Sequence, residues 1–418
     1  MTRLSGIRGA CLALFFPSVM YGQKAIPVLT GSNYILTTGG AALQVGPGNS
    51  ARISSLKYQG AEMLYLNSSG GNVLWGSTAW ASPQAYWTAA CKSANTVDCW
   101  PPPAAMDGNA YTGGLAAADT AVTYTGTADS YMKLRIRKTF SANLKDSSFT
   151  NRYHYVNTSS APITWAPWED TRFPSGGLIF WPTGSGSPTG NTGLLKQVRD
   201  TLGITWFTYD SSAALSGTTK IFADGGAPGW MAHVDKGRVL FIKKYADTPP
   251  AKKAPGTENE CELYITSALE EMELQGAYDP IPANDSIAWE VKWFVRKLPD
   301  GVAISRNRAL ADFVDQVVSG AATGVRAREG SDGTGGREEF QSRISRESIR
   351  LRTSRSRELK IALADVSGKT SVVLAEGRFD TGWHTFQMPE ARPTGPAWLI
   401  VSAGEGGKVL YRKTLAGF

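Results

Sequence analysis

The sequence predicts an all-β protein, a large antiparallel sandwich followed by a smaller one. Three observations carry this. Apolar and polar residues alternate with period two over most of residues 33–298. In "SYMKLRIRKTF", Met132, Leu134 and Ile136 oppose Lys133, Arg135 and Arg137, the pattern of strands with one buried face. Charged residues are only 19% of the chain, whereas Gly (45), Trp (13) and Tyr (15) are plentiful, a balance that suits a β-rich extracellular protein. Long helical patterns are absent, and 418 residues are several times the ~100 that one small sandwich uses.

At the N-terminus, "MTRLSGIRGACLALFFPSVMYGQ" has Arg3 and Arg8 ahead of an apolar run from Ala10 to Met20. That run is too short to span a bilayer, which takes about 20 residues, and Gly22 is small enough to precede a cleavage site. Residues 1–22 therefore read as a signal peptide, and 23–300 as the large domain. No other run is apolar enough to cross a membrane, so a soluble, secreted protein is expected. Cys91 and Cys99 flank the polar loop "KSANTVD" and are the natural disulfide pair in an oxidising compartment. Cys261, in "NECELYI", reads as a buried apolar residue. Further strands follow at "GRVLFIKKYA" and "IAWEVKWFVRKL", where Trp289, Val291, Trp293 and Val295 share one face.

Leu310, Phe313, Val314 and Val317 recur at helical spacing. A Gly-, Ser- and charge-rich stretch follows, so residues 301–344 read as a helix and a flexible linker. Much of the formal charge of +7 lies between Arg326 and Lys360, a run whose one aromatic residue is Phe340. Nucleic-acid binding needs basic residues interleaved with aromatics on a folded face, so no nucleic-acid partner is expected. Strands resume over 345–418, with turns at Asp365–Lys369 and Glu405–Gly407, and make a small immunoglobulin-like β-sandwich.

Two resemblances extend this reading. The pieces "ALADVSGKTSVVLAEGRFDTGWHTFQMP" and "PAWLIVSAGEGGKVLYRKTL" resemble the C-terminal sorting domains of the type IX (Por) secretion system. The matching positions are Asp365, Gly368, Lys369, Gly382, His384 and Lys413, while "GPAW" departs from the usual G-x-Y. The resemblance implies secretion machinery as a partner and export to the surface or surroundings of a Gram-negative-type bacterium. Five pieces within 33–298, among them "LWGSTAWASPQAYW", "CWPPPAAMDGNAY" and "VNTSSAPITWAPWEDTRFPSGGLIFWP", resemble an uncharacterised family of bacterial secreted proteins with a galactose mutarotase-like supersandwich. That fold serves epimerases, lyases, glycosidases and inactive binders alike, so the resemblance leaves the reaction open. It implies a carbohydrate ligand, and a monomer is expected.

Sugar recognition needs flat apolar faces and polar groups for hydroxyls. Trp75, Trp80, Trp100 and Trp168 are the candidate stacking residues, the alternative for each being a place in the core. Gln84 and Arg172 are candidates for hydroxyls or a uronate, with Asp107 nearby. Acid–base chemistry at a sugar carbon needs two titratable groups held across the ring. Glu169 and Glu273 are the leading pair. His154 in "RYHYVN" loosely echoes the histidine motif of mutarotase-like enzymes. In "ALEEMELQG", Glu271 and Glu273 oppose Met272 and Leu274, which puts both acids on the surface opposite the core.

Pro167 and the pair Gly176–Gly177 suggest a preorganised loop around Glu169, Asp170 and Arg172. Beside Arg172, Glu169 is expected to stay ionised; the alternative is a structural Arg–carboxylate pair with Trp168 packed beneath. No GxSxG, HExxH or phosphate-loop motif is present, so no cofactor or metal is expected. If the protein is an enzyme, carboxylates do the work. The other reading is a non-catalytic carbohydrate-binding or scaffold protein of the cell surface.

Overall fold

A computed structural model of the chain describes residues 24–66, 74–94, 99–115, 120–210, 219–320, 340–344, 348–353, 356–365, 370–387, 397–403 and 409–415. The signal segment 1–22, most of the linker, and the turn residues 366–369 and 405–407 lie outside the described residues. The chain divides into two units, Met1–Arg326 and Ala327–Phe418.

The large unit is two antiparallel sheets packed face to face, of eleven and twelve strands among the described residues. At the middle of the first lie the strands Trp230–Asp235, Val239–Lys244, Ser286–Lys297, Ser148–Asn157 and Leu134–Asn143, in that order. At the middle of the second lie Lys220–Ala223, Cys261–Ile265, Leu269–Gln275, Ile163–Pro174, Ser77–Ser82 and Ile53–Tyr58. One apolar core fills the space between the sheets, drawing Tyr153, Trp293 and Phe241 from the first and Ala79, Phe173, Met272 and Leu274 from the second. Burying one such side chain contributes about 1.5–3 kcal/mol. Trp289, Val291, Trp293 and Val295 all enter it, as their alternation predicts.

A second core lies on the far side of the first sheet. Asn307 caps the helix Arg308–Val318 by accepting from the Leu310 amide at 2.9 Å. Leu310, Phe313, Val314 and Val317 pack on Leu178, Phe180, Trp230, Leu240 and Ile242. The strands beneath are therefore covered on both faces, which explains the unbroken apolar runs "GLIFWP" and "VLFI".

The stretch around Glu169 is not a loop. Ile163–Pro174 is a continuous twelve-residue strand, and the chain then crosses to the first sheet at Ser175–Gly176. A Cβ at Gly177 would come within 2.3 Å of His233 Nε2, so this position must be glycine for the crossing to close.

The second unit is a small sandwich. A three-stranded sheet (Phe340–Ile344, Ser348–Thr353, Gly382–Gln387) and a four-stranded one share a core of Ile349, Leu351, Leu359, Ile361, Leu363, Leu399 and Val401. Its first strand begins at Phe340, inside the stretch expected to be linker.

Lys138 lies in the inter-sheet core, in register with Tyr124 and Tyr153. It is 1% exposed, its Nζ has no hydrogen-bond partner, and it sits 5.4 Å over the Tyr111 ring. Burial lowers its pKa to about 7. Between there and the ordinary lysine value, unfolding takes up a proton. Stability therefore falls as pH falls through that window, by roughly 1.4 kcal/mol per pH unit. Lys138→Met should be more stable than the wild type at pH 7, with the gap closing toward pH 10. Denaturant unfolding of both proteins at the two pH values measures this; a constant gap would show that Lys138 is charged in the fold.

Candidate functional site

The strand Ile163–Pro174 separates its charges by parity. Trp168, Asp170 and Arg172 point to the outer face of the second sheet. Pro167, Glu169, Thr171 and Phe173 point into the space between the sheets. The sequence expectation that Glu169 sits beside Arg172 is thereby corrected: strand residues three apart face opposite ways.

Glu169 is fully buried in the core. Tyr153 Oη donates to its Oε2 at 2.5 Å, Trp293 Nε1 donates to its Oε1 at 2.9 Å, and Lys243 Nζ lies 3.1 Å from Oε1. Lys243 also donates to the Met272 carbonyl at 2.7 Å. Burial lowers the Lys243 pKa, with Glu169 and Asp170 working against that. Glu169 is therefore a core carboxyl tied to three donors, with neither oxygen open to a substrate. It cannot act with Glu273 across a sugar ring, because the two lie on opposite faces of one sheet.

The outer face gathers a different set. Asp170 stands opposite Glu273 and Arg172 opposite Glu271 in the register of neighbouring strands, with Glu262 next to Glu273 on the strand beyond. Arg172 bonds Asp170, and its Nε donates to Glu271 Oε1 at 2.7 Å. Lys220 Nζ lies 2.5 Å from Glu262 and 2.9 Å from Glu273. Trp168 Nε1 donates to Glu273 Oε2 at 3.0 Å, and Gln275 Nε2 bonds Glu258 and Glu262. On the other flank Arg52 pairs with Asp107 at 2.5 Å, and Thr78 donates to the same oxygen.

Four carboxyl groups, Asp170, Glu262, Glu271 and Glu273, thus share two cations, Arg172 and Lys220. Burial is the largest influence on Asp170 and holds its carboxyl well above the usual range; Arg172 opposes this, and Glu271 and Glu273 reinforce it. Burial also raises Glu273 and Glu262, with Lys220 opposing. Burial works against the charge on Lys220, but Glu262, Glu273 and Glu258 outweigh it and raise its pKa well above the ordinary value. Arg172 is likewise held charged by Asp170 and Glu271. Asp170 Oδ1, Glu273 Oε1 and Gln275 Oε1 are buried without a hydrogen-bond partner. Acceptors left in that state call for a donor.

Residues 83–94 and 99–107, with Cys91 and Cys99 joined in the expected disulfide, cover part of this face. Trp80, Trp87 and Trp168 pack against one another beneath them, with ring centroids 5.1–5.9 Å apart. Trp80 is 2% and Trp168 1% exposed, and Lys220 lies 4.9 Å over the Trp168 ring. Neither is an open platform, so their expected stacking role is corrected. Trp100 is 47% exposed, and Trp75 is half-buried under the Arg52 guanidinium. With half-buried Tyr264, Lys220 and Gln84 they form the rim. Gln84 is tied to Glu258 through its amide and to the Cys99 carbonyl through its side chain. Arg172, already holding two carboxylates, has no free edge for a uronate.

His154 is also corrected. It lies on the outer face of the first sheet, because Tyr153 and Tyr155 take the inward positions. Burial, with Arg137 and Arg152 nearby, lowers its pKa to about 4. His233 faces the core, stacked on Phe173 at 4.6 Å.

Sequence reasoning named Asp170 only as part of a loop with Glu169 and Arg172, and Glu262 only as part of an acidic strand face; it missed Gln275 and Lys220. Continuing the strand parity from "WED" through "TRF" would have found Asp170; nothing marks Lys220. Also unforeseen is a grouping of Asp224, Asp247 and Glu260, whose carboxylate oxygens lie within 4.8 Å of one another and have the spacing to hold a cation. Burial raises Glu260 to about 7 although the Thr248 and Gly225 amides donate to it.

The family described as a domain of unknown function (DUF4380) matches residues 62–296. Among solved structures, the chain is similar to a protein from Synechocystis, at 12% identity and a TM-score of 0.43, covering 67% of this chain and 100% of that one. It is similar to a galactose mutarotase-like protein from Clostridium acetobutylicum (12% identity, TM-score 0.40, 66% and 99% covered). A galactose mutarotase-like protein from Lactobacillus casei is comparable (12%, TM-score 0.42, 63% and 100%). No curated protein matches.

Removing one partner of the Glu169–Lys243 pair leaves a buried charge uncompensated, which costs about 3–5 kcal/mol. Glu169→Ala should lose that much stability in urea unfolding, and Glu169→Leu combined with Lys243→Met should recover most of it. A loss below about 1 kcal/mol for Glu169→Ala would show that the pair contributes no more than a surface one.

Proposed function

The chain belongs to the DUF4380 domain family, and for its large unit we propose saccharide recognition on the outer face of the second sheet, with Asp170 and Glu273 as the carboxyl pair that exchanges protons with the sugar. One observation carries this reading. The two groups stand opposite each other on neighbouring strands, and each has one buried oxygen without a partner.

The two carboxyls differ in what surrounds them. Burial, reinforced by Glu271 and Glu273 and opposed by Arg172, raises the Asp170 carboxyl well above the usual range, the direction that suits a proton donor. Burial raises Glu273 as well, but Lys220 and the Trp168 indole favour its ionised form, the state of an acceptor. Environments that push two carboxyls apart are what acid–base chemistry at a sugar requires. The exposed Trp100 ring offers an apolar face at the rim, and Gln275 Oε1 and Glu271 offer acceptors for hydroxyl groups. The reaction class is proton transfer at a glycosidic oxygen or a ring carbon, as in hydrolysis, elimination or epimerisation.

A second reading, binding without turnover, is favoured by how fully the carboxyls are committed: Asp170 is 0% and Glu273 1% exposed, each already holding a cation.

We also propose that the protein works at or beyond the cell surface, delivered by segment 1–22 and the C-terminal sandwich. The Cys91–Cys99 bridge supports this, since disulfides persist in oxidising compartments. No helix among the described residues is long and apolar enough to cross a membrane.

A screen of the mature chain on oligo- and polysaccharides, with Asp170→Asn and Glu273→Gln alongside, tests the central reading. Product formation should fall at least about hundredfold in each, with the fold retained. Activity should decline on the acid side as Glu273 takes a proton and on the alkaline side as Asp170 loses one. Glycan binding without any product would favour the second reading; turnover undiminished in both variants would remove the pair from the chemistry.

A further inference from the structure

The outer face of the first sheet is divided. Toward Trp230–Asp235 and Val239–Lys244 it is covered by the helix Arg308–Val318. On the strands Leu134–Asn143 and Ser148–Asn157 the outward side chains around three arginines are exposed or half-buried, with Ser141 and Ser148 buried at one end. Arg137 is in register with His154, and Arg152 with Thr139. Arg135 is two residues from Arg137 on the same face. Strands lie ~4.8 Å apart and same-face neighbours ~7 Å along a strand, so these cations form one compact patch.

The patch carries an excess of positive charge, three arginines against Glu290. Among the described residues none of Arg135, Arg137 and Arg152 forms an ion pair, although Glu290 stands opposite Arg152. Arg135 Nε is buried without a hydrogen-bond partner. The depressed pKa of His154, caused by burial and then by Arg137 and Arg152, reports the positive field at the centre of the patch. The Thr123 and Thr139 hydroxyls, 3.0 Å apart, line one side.

We propose that this face is a docking surface for a polyanionic glycan, a chain bearing carboxylate or sulfate groups, on the opposite side of the unit from the carboxylate site. Charge complementarity selects an anion, and arginine forks suit carboxylate and sulfate oxygens. The flat face admits an extended chain. On the strands Ala121–Thr125, Leu134–Asn143 and Ser148–Asn157 no outward side chain is Trp, Tyr or Phe, so the stacking rings that hold single-stranded nucleic acid are missing. The inference does not depend on the proposed function, because it uses neither Asp170 nor Glu273.

Calorimetric titration of the full chain with alginate and with dextran sulfate, at low salt, tests it, with neutral dextran as control. The wild type should bind both polyanions and not dextran, and added salt should weaken binding. Arg137→Ser combined with Arg152→Ser should lower affinity at least tenfold, and the corresponding double replacement by Lys should keep most of it, with unchanged melting temperatures. Unchanged affinity in the Ser variant would assign binding to basic residues elsewhere and overturn the proposal. Equal affinity for a single-stranded DNA oligonucleotide would overturn its choice of partner.

Discussion

The alternation of one buried strand organises the large unit. Ile163–Pro174 is sandwiched between the inter-sheet core on one side and a covered polar face on the other, so every charge on it must find a partner in its own layer. Glu169 finds Lys243, Tyr153 and Trp293; Asp170 and Arg172 find each other and the acids of Leu269–Gln275. Removing a single charge from water costs several kcal/mol. The partners are therefore conditions of the strand's burial, and they fix its register against Ser77–Ser82 and Leu269–Gln275.

In the outer layer the compensation is incomplete. Four acids share two cations, and Asp170 Oδ1, Glu273 Oε1 and Gln275 Oε1 are buried with no donor. A core pair that is fully satisfied, such as Glu169 with its three donors, has nothing left to offer a ligand. The covering segment adds a lower local dielectric, which strengthens each interaction beneath it and raises the carboxyl pKa values. The unit thus carries an acidic, largely enclosed face on one sheet and a basic, open one on the other.

Much of this was legible in the sequence. Strand alternation, the Cys91–Cys99 pair, the helix after Asn307 and the common facing of Glu271 and Glu273 all follow from local pattern. The strand at Glu169 was hidden because polar residues occupy both of its faces, so "APWEDTRFP" shows no apolar period and its proline suggests a turn. His154 misled for the opposite reason: its alternation with Tyr153 and Tyr155 was plain, but which sheet surface it reached depends on topology. Lys138, Lys220 and Arg52 acquire meaning only through partners distant in the chain, and a single sequence carries no mark of them.

The claim at the centre is that burial and the neighbouring acids hold the Asp170 carboxyl well above the usual carboxylate range on the outer face. Carboxyl carbon NMR of the large unit with labelled Asp and Glu measures this directly, with Asp170→Asn and Glu169→Gln assigning the signals. The Asp170 signal should titrate well above the usual carboxylate range. An Asp170 signal that is fully ionised at pH 7 and titrates in the usual carboxylate range would contradict the account.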